Sequence, residues 1–402
     1  MRIAPPGAGA AMRAHLLLSY DFPPMGGGIA RMMGELVKRY PDRALTVSTG
    51  NYHGQPDLDS EVEARVDRLR LPSRRLRTLQ GLVAWTRRAH ALTRSVEPSF
   101  VWCGNFKPAA YPARWIRAYA GIPYGIMLYG TELLLLQSRM RGSGLKRRVA
   151  RALLGSAAVL LVVSRSTRLL ALEVLAELGF VDGAIDIRTV LLGTDPEQFR
   201  PGLDVSEVRR RYGLEEGRWL ITVARVAAHK GIDTVLRVLN LLRSDFPELR
   251  YAVVGSGANL EEYQTLARTL DLTNRVRFLT TVPDADLPAI YNSAELYLGV
   301  SRQVELMMEG FGISLSEAAA CAIPVIAGSS GGIPDAVRDG ETGLLVDATS
   351  VSAVAEAVQR LLGDRDLARS LGTAGRRAVV SFYNWDRVTR DVFQIAEEHA
   401  LR

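Results

Sequence analysis

Apolar residues along the chain gather into short runs separated by longer mixed segments. AHLLLSY (14–20) is apolar at successive positions, too short for a helix, and ends in the turn-forming stretch DFPPMGGG. An apolar run of this length bounded by Gly and Pro reads as a buried strand. ALTVST, SFVWCG, YGIMLYG and AAVLLVVS repeat the pattern, with helix-like segments such as IARMMGELVKRY between them. The rhythm restarts after the polar stretch TDPEQFRPGLDVSEVRRRYG (194–213). WLITVAR (219–225), RYAVVGSG (250–257), RVRFLT (275–280), ELYLGVS (295–301), PVIAGS (324–329) and GLLVDA (343–348) follow. Strand and helix in alternation predict parallel sheets with helices on both faces. The expected class is α/β: two doubly wound parallel-sheet domains, 14–200 and 201–380, facing a central cleft. Residues 1–13, MRIAPPGAGAAMR, read as a disordered leader, with Met12 as an alternative start.

Composition changes this picture little. A chain of 402 residues suggests two or three domains, and 48% hydrophobic with 23% charged residues describes an ordinary globular protein. Cys103 and Cys321 offer neither a disulfide framework nor metal-ligand spacing, which favours a reducing cytoplasm. The run around HLLLSY is short and ends in Asp21, so no signal peptide is expected. No apolar run approaches the roughly 20 residues of a membrane span. Charge is more informative. Residues 1–215 hold 31 basic and 19 acidic residues, a net of +12, and the remainder carries −5. Such a basic half suits an anionic partner. It equally suits an arginine-rich composition on solvated faces, since the only lysines are Lys38, Lys107, Lys146 and Lys230.

Open parallel sheets bind ligands beyond the carboxyl ends of their strands. Three segments after strands therefore stand out. In ARVAAHKG (224–231), Arg225 ends a strand and Lys230 precedes a helix beginning near Ile232. Two cations beside a helix N-terminus suit adjacent phosphates, although an ordinary loop with two exposed cations reads the same way. In MGGGIAR (25–31) the glycines permit close backbone approach to a ligand, or simply form a tight turn. GSG (255–257) lacks the third glycine of a dinucleotide fingerprint.

The third segment is EGFGISLSE (309–317). Glu309 is expected in a loop, reaching outward to sugar hydroxyls. The Gly310–Ile313 turn can offer N–H groups to an oxyanion. Glu317, in the first turns of the next helix, can accept from both hydroxyls of a ribose, because a carboxylate only accepts. A helix-start glutamate favoured by the dipole accounts for Glu317 alone. SSGGIP (329–334) adds a second glycine turn. Asp57/Asp59, Asp284/Asp286 and Asp364/Asp366 form Asp-x-Asp triplets of the kind that hold a divalent ion beside a diphosphate. Their settings read instead as helix capping and hydrophilic connections, and no His or Cys cluster accompanies them, so no metal site is expected.

Together, the early glycine cluster, R-x4-K-G, E-G-F-G-x4-E, and G-G-I-P-D followed by D-G-E-T-G-L-L-V resemble the retaining glycosyltransferases of family four, with the GT-B fold. The likeness is nearest to bacterial mannosyltransferases acting on phosphatidylinositol mannosides and on exopolysaccharide lipid intermediates. It is specific in the C-terminal half, where 301–346 looks like the donor site, and loose in the N-terminal half. The resemblance implies that Arg225 and Lys230 hold the donor diphosphate. Glu309 and the Phe311, Gly312 and Ile313 backbone would hold the hexose, and Glu317 the ribose. Gly27 and Gly28 would approach the phosphates, and the loop at Thr281–Val282 would border the base. A final helix, 381–402, would cross back to the first domain. Family members often place a histidine where LYGTELLL has Tyr129. A retaining front-face mechanism tolerates that change, because the departing phosphate oxygen can take the acceptor proton.

The expected activity is transfer of a hexose, mannose favoured, from a GDP- or UDP-sugar to a lipid-linked or saccharide hydroxyl, without a cofactor or metal. The alternative is a GT-B-like nucleotide-sugar binding or partner subunit that has lost turnover. PSRRLRTLQGLVAWTRRAHALTR (72–94), YPARWIRAYAG (111–121) and RMRGSGLKRRVARALLG (139–155) mix arginine with apolar and aromatic residues. They suit an anionic membrane surface, and so a peripheral position on the inner face of the cell membrane. Taken singly, each also reads as a surface helix with its stripe in the core. No reading helix, RNP-type motif or zinc module points to nucleic acid.

Overall fold

The computed structural model describes residues 13–41, 44–52 and 62–400. It divides into two compact units, Met1–Val190 with Trp385–Arg402, and Leu191–Asn384.

The first unit runs β1 (His15–Leu18), α1 (Gly28–Arg39), β2 (Leu45–Asn51), β3 (Arg65–Pro72), α2 (Leu79–Val96), β4 (Phe100–Cys103) and α3 (Ala110–Ala120). It continues with β5 (Tyr124–Leu128), α4 (Thr131–Arg141), α5 (Gly144–Gly155), β6 (Val159–Val162), α6 (Arg165–Glu177) and β7 (Asp186–Thr189). The seven strands are parallel, in the order β3-β2-β1-β4-β5-β6-β7. Central strands are covered on both faces, which is why β1, β4, β5 and β6 are buried throughout and, apart from His15, free of charged or titratable polar side chains other than Tyr124 and Cys103. The edge strands β3 and β7 do not stand out in the sequence. RVDRLRLP and DIRT keep charged residues because an edge stays partly in water. The basic stretch 139–155 is two helices, broken at Gly142, with the Ser143 hydroxyl capping α5 through the Lys146 N–H.

In the second unit the order is α7 (Ser206–Tyr212), β8 (Arg218–Val223), α8 (Ile232–Leu241), β9 (Leu249–Val254), α9 (Leu260–Thr269), β10 (Val276–Leu279) and α10 (Leu287–Asn292). Then come β11 (Leu296–Gly299), α11 (Ile313–Ala320), β12 (Val325–Gly328), α12 (Ile333–Ala336), β13 (Leu344–Val346), α13 (Val351–Gly363) and α14 (Arg365–Ser381). Its six strands are parallel, in the order β10-β9-β8-β11-β12-β13. Leu220, Val253, Leu298 and Ile326 from the strands meet Val235 and Leu239 of α8 and Val358 of α13 in one core. Each fully buried aliphatic side chain contributes about 1.5–3 kcal/mol.

The last helix, α15 (Trp385–Ala400), belongs to the first unit and packs on α1 and β4. Its apolar face buries Trp385, Val392 and Ile395. Polar ties fix its register: Arg39 bonds Asp386 at 3.1 Å, and the wholly buried His15 contacts Glu397 at 2.9 Å. In each sheet the strand order reverses once, between β1 and β4 and between β8 and β11. Such a reversal leaves a crevice at the carboxyl ends of the two central strands.

Candidate active site

In the second unit, the loops after β8 and β11 are drawn together by backbone packing. Gly231 has φ 70°, and a Cβ there would lie 2.1 Å from the Val300 carbonyl oxygen. Only glycine lets the two loops approach so closely. The Arg302 N–H then donates to the His229 carbonyl at 2.8 Å. The Arg302 guanidinium forks onto Asp233 at 2.8 and 2.9 Å and reaches the Thr234 hydroxyl at 3.1 Å. This bracing aims Lys230 at the β11 loop, where its ammonium donates to Oε2 of Glu309. The Ser301 hydroxyl lies 3.4 Å from the same oxygen.

Glu309 therefore turns inward onto Lys230 rather than outward, because a half-buried carboxylate beside an ammonium is drawn to it. Burial alone raises its pKa, but the charge and hydrogen bond of Lys230, helped by His229 and Ser301, hold the carboxyl below its ordinary range. His229, 3% exposed, is pushed down to about 4 by burial and by Lys230 and Arg225, against Glu309. The carbonyl of Glu309 accepts the Gly332 N–H at 2.9 Å, and a Cβ at Gly331 would sit 2.4 Å from that oxygen. The second glycine turn thus braces the backbone of Glu309.

Lys230 and Glu309 line a recess of about 10 Å³, room for a single water, together with Thr222, Ala224, Tyr297, Ser301, Ser314 and Leu315. Gly312, at φ 96°, starts α11, and the free N–H groups of its first turn adjoin the recess. Tyr297 donates to Ser314 at 2.8 Å. Phe311 is 2% exposed, so the core uses its side chain and only its backbone faces the loop. Ile313 is half-buried. Glu317 lies further along α11, 2% exposed, its Oε2 accepting from the Tyr291 hydroxyl at 2.7 Å. Arg225 is exposed and makes no hydrogen bond or ion pair among the described residues. Val282 is half-buried beyond β10. Thus the site brings Lys230, Glu309 and the start of α11 into contact and leaves Arg225 on the adjoining loop. Ser301, Tyr297 and Tyr291 do not stand out in the sequence, because they sit among apolar strand and helix residues that read as packing.

The first unit carries its own group at the carboxyl edge. Gly27, at φ 118°, precedes α1, and a Cβ at Gly26 or Gly27 would meet nothing within 4 Å. Gly28 opens the helix and is exposed. Tyr129 follows β5, its hydroxyl donating to the Gly104 carbonyl at 2.8 Å and its N–H to Glu132. Burial, with Glu132 and Asp21 nearby, holds the phenol well above its ordinary pKa and so neutral. Burial likewise raises Glu132, against the N–H groups of Tyr129 and Gly130, and raises Asp21, against Asn105 and Arg77. Asn105 reaches Asp21 at 2.8 Å. Asp21 lies in DFPP, just past Ser19 and Tyr20 at the end of β1, which was the available signal for it.

Of the aspartate triplets, Asp286 is engaged by Arg211 at 2.8 Å and Tyr212 at 2.6 Å, and Asp364 caps α14 through the Leu367 N–H. Asp57 and Asp59 lie outside the described residues. Among the described residues there is no group of three or more His, Cys, Asp or Glu side chains able to hold a metal ion. Nor is any helix among them long and apolar enough to cross a membrane.

Residues 204–378 match the family described as glycosyl transferases group 1, and residues 27–179 match a glycosyl transferase 4-like domain. A GDP-mannose-dependent alpha-(1-6)-phosphatidylinositol monomannoside mannosyltransferase of Mycolicibacterium smegmatis is 30% identical over 92% of this chain and 94% of its own length. The sucrose-phosphate synthase of Thermosynechococcus elongatus superposes with a TM-score of 0.76 at 22% identity, over 96% of this chain and 99% of its own. Anabaena HepE, solved with UDP and glucose, gives 0.77 at 18% identity with the same coverage. The paired switch-point sheets, both family matches and a full-length relative agree: the chain belongs to the group 1 glycosyltransferases and has the GT-B fold.

Proposed function

We propose that the protein is a retaining, metal-independent hexosyltransferase that moves mannose from GDP-mannose to a hydroxyl of a lipid-linked or saccharide acceptor. The observation that carries this reading is the Lys230–Glu309 pair at the β8/β11 switch point, beside the start of α11. It offers a cation for a diphosphate, a carboxylate for sugar hydroxyls and N–H groups for a developing oxyanion. The donor assignment is supported by the relative named as GDP-mannose-dependent. A lipid-linked acceptor is supported by that relative's phosphatidylinositol mannoside substrate and by the basic N-terminal half. The same two facts support peripheral action at the inner face of the cell membrane.

In the proposed reaction the bond from the sugar anomeric carbon to the β-phosphate oxygen breaks. The acceptor oxygen bonds to the same face of that carbon, and its proton passes to the departing phosphate oxygen. Arg225 and Lys230 stabilise the charge that gathers there, and each such donor contributes about 3 kcal/mol to the transition state. Glu309 accepts from hexose hydroxyls beside the Phe311–Ile313 backbone, Glu317 from the ribose, and Val282 borders the base. Gly27 and Gly28 keep the close backbone approach to phosphate that the resemblance implies. Tyr129, neutral and tied to Gly104, positions its strand end and takes no part in proton transfer.

A thermal-shift comparison of GDP, GDP-mannose, UDP and UDP-glucose tests the donor site directly, since a ligand at 100-fold its Kd stabilises the fold by about 2.7 kcal/mol. GDP-mannose is expected to raise Tm, and NMR of the product to show the donor's anomeric configuration retained, with turnover undiminished by chelator. No shift with any of the four compounds would overturn the reading.

A further inference from the structure

Glu317 is a carboxylate placed where burial works against it. It lies one turn past the start of α11, nearly shut off from solvent, and the Tyr291 hydroxyl donates to its Oε2 at 2.7 Å. Taking a carboxylate out of water is costly unless hydrogen bonds replace its hydration. The donor of this bond is itself fixed. Tyr291 is wholly buried on α10, and its ring packs edge-on against Phe199, with centroids 5.8 Å apart, and against Tyr297 at 5.7 Å. A ring held on two sides cannot carry its hydroxyl away, so Oε2 is pinned at one point.

The second ring leads to the rest of the site. Tyr297, which holds Ser314 in the first turn of α11, lines the recess that contains Lys230 and Glu309. Burial raises the pKa of its phenol, Ser314 opposes, and the charges of Glu317 and Glu309 raise it further, so both carboxylates act on the one ring. The packed pair Tyr291–Tyr297 thereby fixes Glu317 relative to the cation proposed for the diphosphate. A phenol suits this task better than a cation. It donates one proton and adds no charge, so the carboxylate keeps its negative charge for sugar hydroxyls. With two oxygens and about four acceptor positions, a carboxylate is not exhausted by one bond from a tyrosine.

We propose that Tyr291 is a positioning residue for the nucleoside end of the donor. By pinning Oε2 it sets the Glu317 carboxylate to accept from both ribose hydroxyls, and so makes the site selective for ribonucleoside over 2′-deoxyribonucleoside diphosphates. This deepens the proposed function and rests on its donor site, with Glu317 as the ribose contact.

The test is calorimetric binding of GDP and 2′-deoxy-GDP to the full chain and its variants. The parent is expected to prefer GDP by about tenfold or more, the worth of a hydrogen bond to a charged group. Tyr291→Phe keeps the ring contacts and removes only the hydroxyl, and its preference should fall to about threefold or less. Its KM for GDP-mannose should rise about tenfold with kcat within about twofold, the pattern of lost ground-state binding. Glu317→Gln should lose the preference as well, and adding Tyr291→Phe to it should cost GDP affinity nothing more, because the tyrosine acts through the carboxylate. Melting temperatures of all variants show that they are folded. A residue that merely fills the core would lower Tm and leave the ribose preference intact. An undiminished preference in either single variant, or additive losses in the double variant, would overturn the proposal. The parent separates the two ideas. If it binds GDP and 2′-deoxy-GDP equally, the donor site stands and Tyr291 loses this role. If it binds neither, the donor reading itself is lost, and this one with it.

Discussion

At the carboxyl edge of the second sheet, charges answer one another within the site. Lys230 holds Glu309, Arg302 holds Asp233, and Tyr291 holds Glu317. At the same edge of the first sheet, Asp21, Tyr129 and Glu132 are governed by burial, with only Asn105, Arg77 and backbone N–H groups to relieve them. Beside them the glycine turn stands open. One edge is set by ion pairing and so carries a short polar signature. The other is set by solvent exclusion, which many sequences satisfy. The difference teaches that a site's legibility follows from the force that organises it.

The largest effect expected from breaking this comparison is at the charge pair. Glu309→Ala strands a half-buried ammonium, and a loss of about 3 kcal/mol is expected by chemical denaturation, with transfer falling below detection. Lys230→Met/Glu309→Leu should regain most of the stability and none of the activity. If the single variant is as stable as the parent, the second edge is not organised by pairing.

A second effect is acid sensitivity at the same edge. His229 has a folded pKa of about 4 against an ordinary 6.5. Between those values the unfolded chain binds a proton that the native site refuses, so stability must fall as pH drops through that window. Protonation of Glu309 removes the pair as pH falls through its lowered pKa. His229→Gln should flatten the slope of denaturation midpoint against pH in the upper window, and an unchanged slope would count against burial of this imidazole.

Arg225→Ala separates chemistry from stability. The side chain is exposed, so stability should stay within about 0.5 kcal/mol. Transfer should fall by about two to three orders of magnitude, read as kcat/KM. The smallest effect belongs to the first edge. Tyr129→Phe removes one hydrogen bond to Gly104, at about 1 kcal/mol, and should leave the pH–rate profile of transfer unmoved. A displaced profile would make the phenol a proton carrier.

All six strands of the second sheet are readable from apolar runs bounded by turn residues. In the first sheet the five inner strands are readable in the same way, while β3 and β7 are hidden. RVDRLRLP alternates arginine with apolar residues because one side of an edge strand faces water, and a basic alternation is easily absorbed into its surroundings. The site shows a similar division. Arg225, Lys230, Glu309 and Glu317 are visible because charge after a strand needs a reason. Tyr291 and Tyr297 are invisible because a buried tyrosine reads as filling until the partner of its hydroxyl is known. The inward turn of Glu309 was equally out of reach, since it depends on a lysine 79 positions away.

The fold seats the Glu309 carboxylate on the ammonium proposed for the donor's diphosphate. On that proposal a diphosphate would gain the cation by exchange, and Glu309 would be released toward the sugar in the same event. Recognition of one end of the donor would then ready the grip on the other, and the protein's own anion would reclaim the seat when the nucleotide departs.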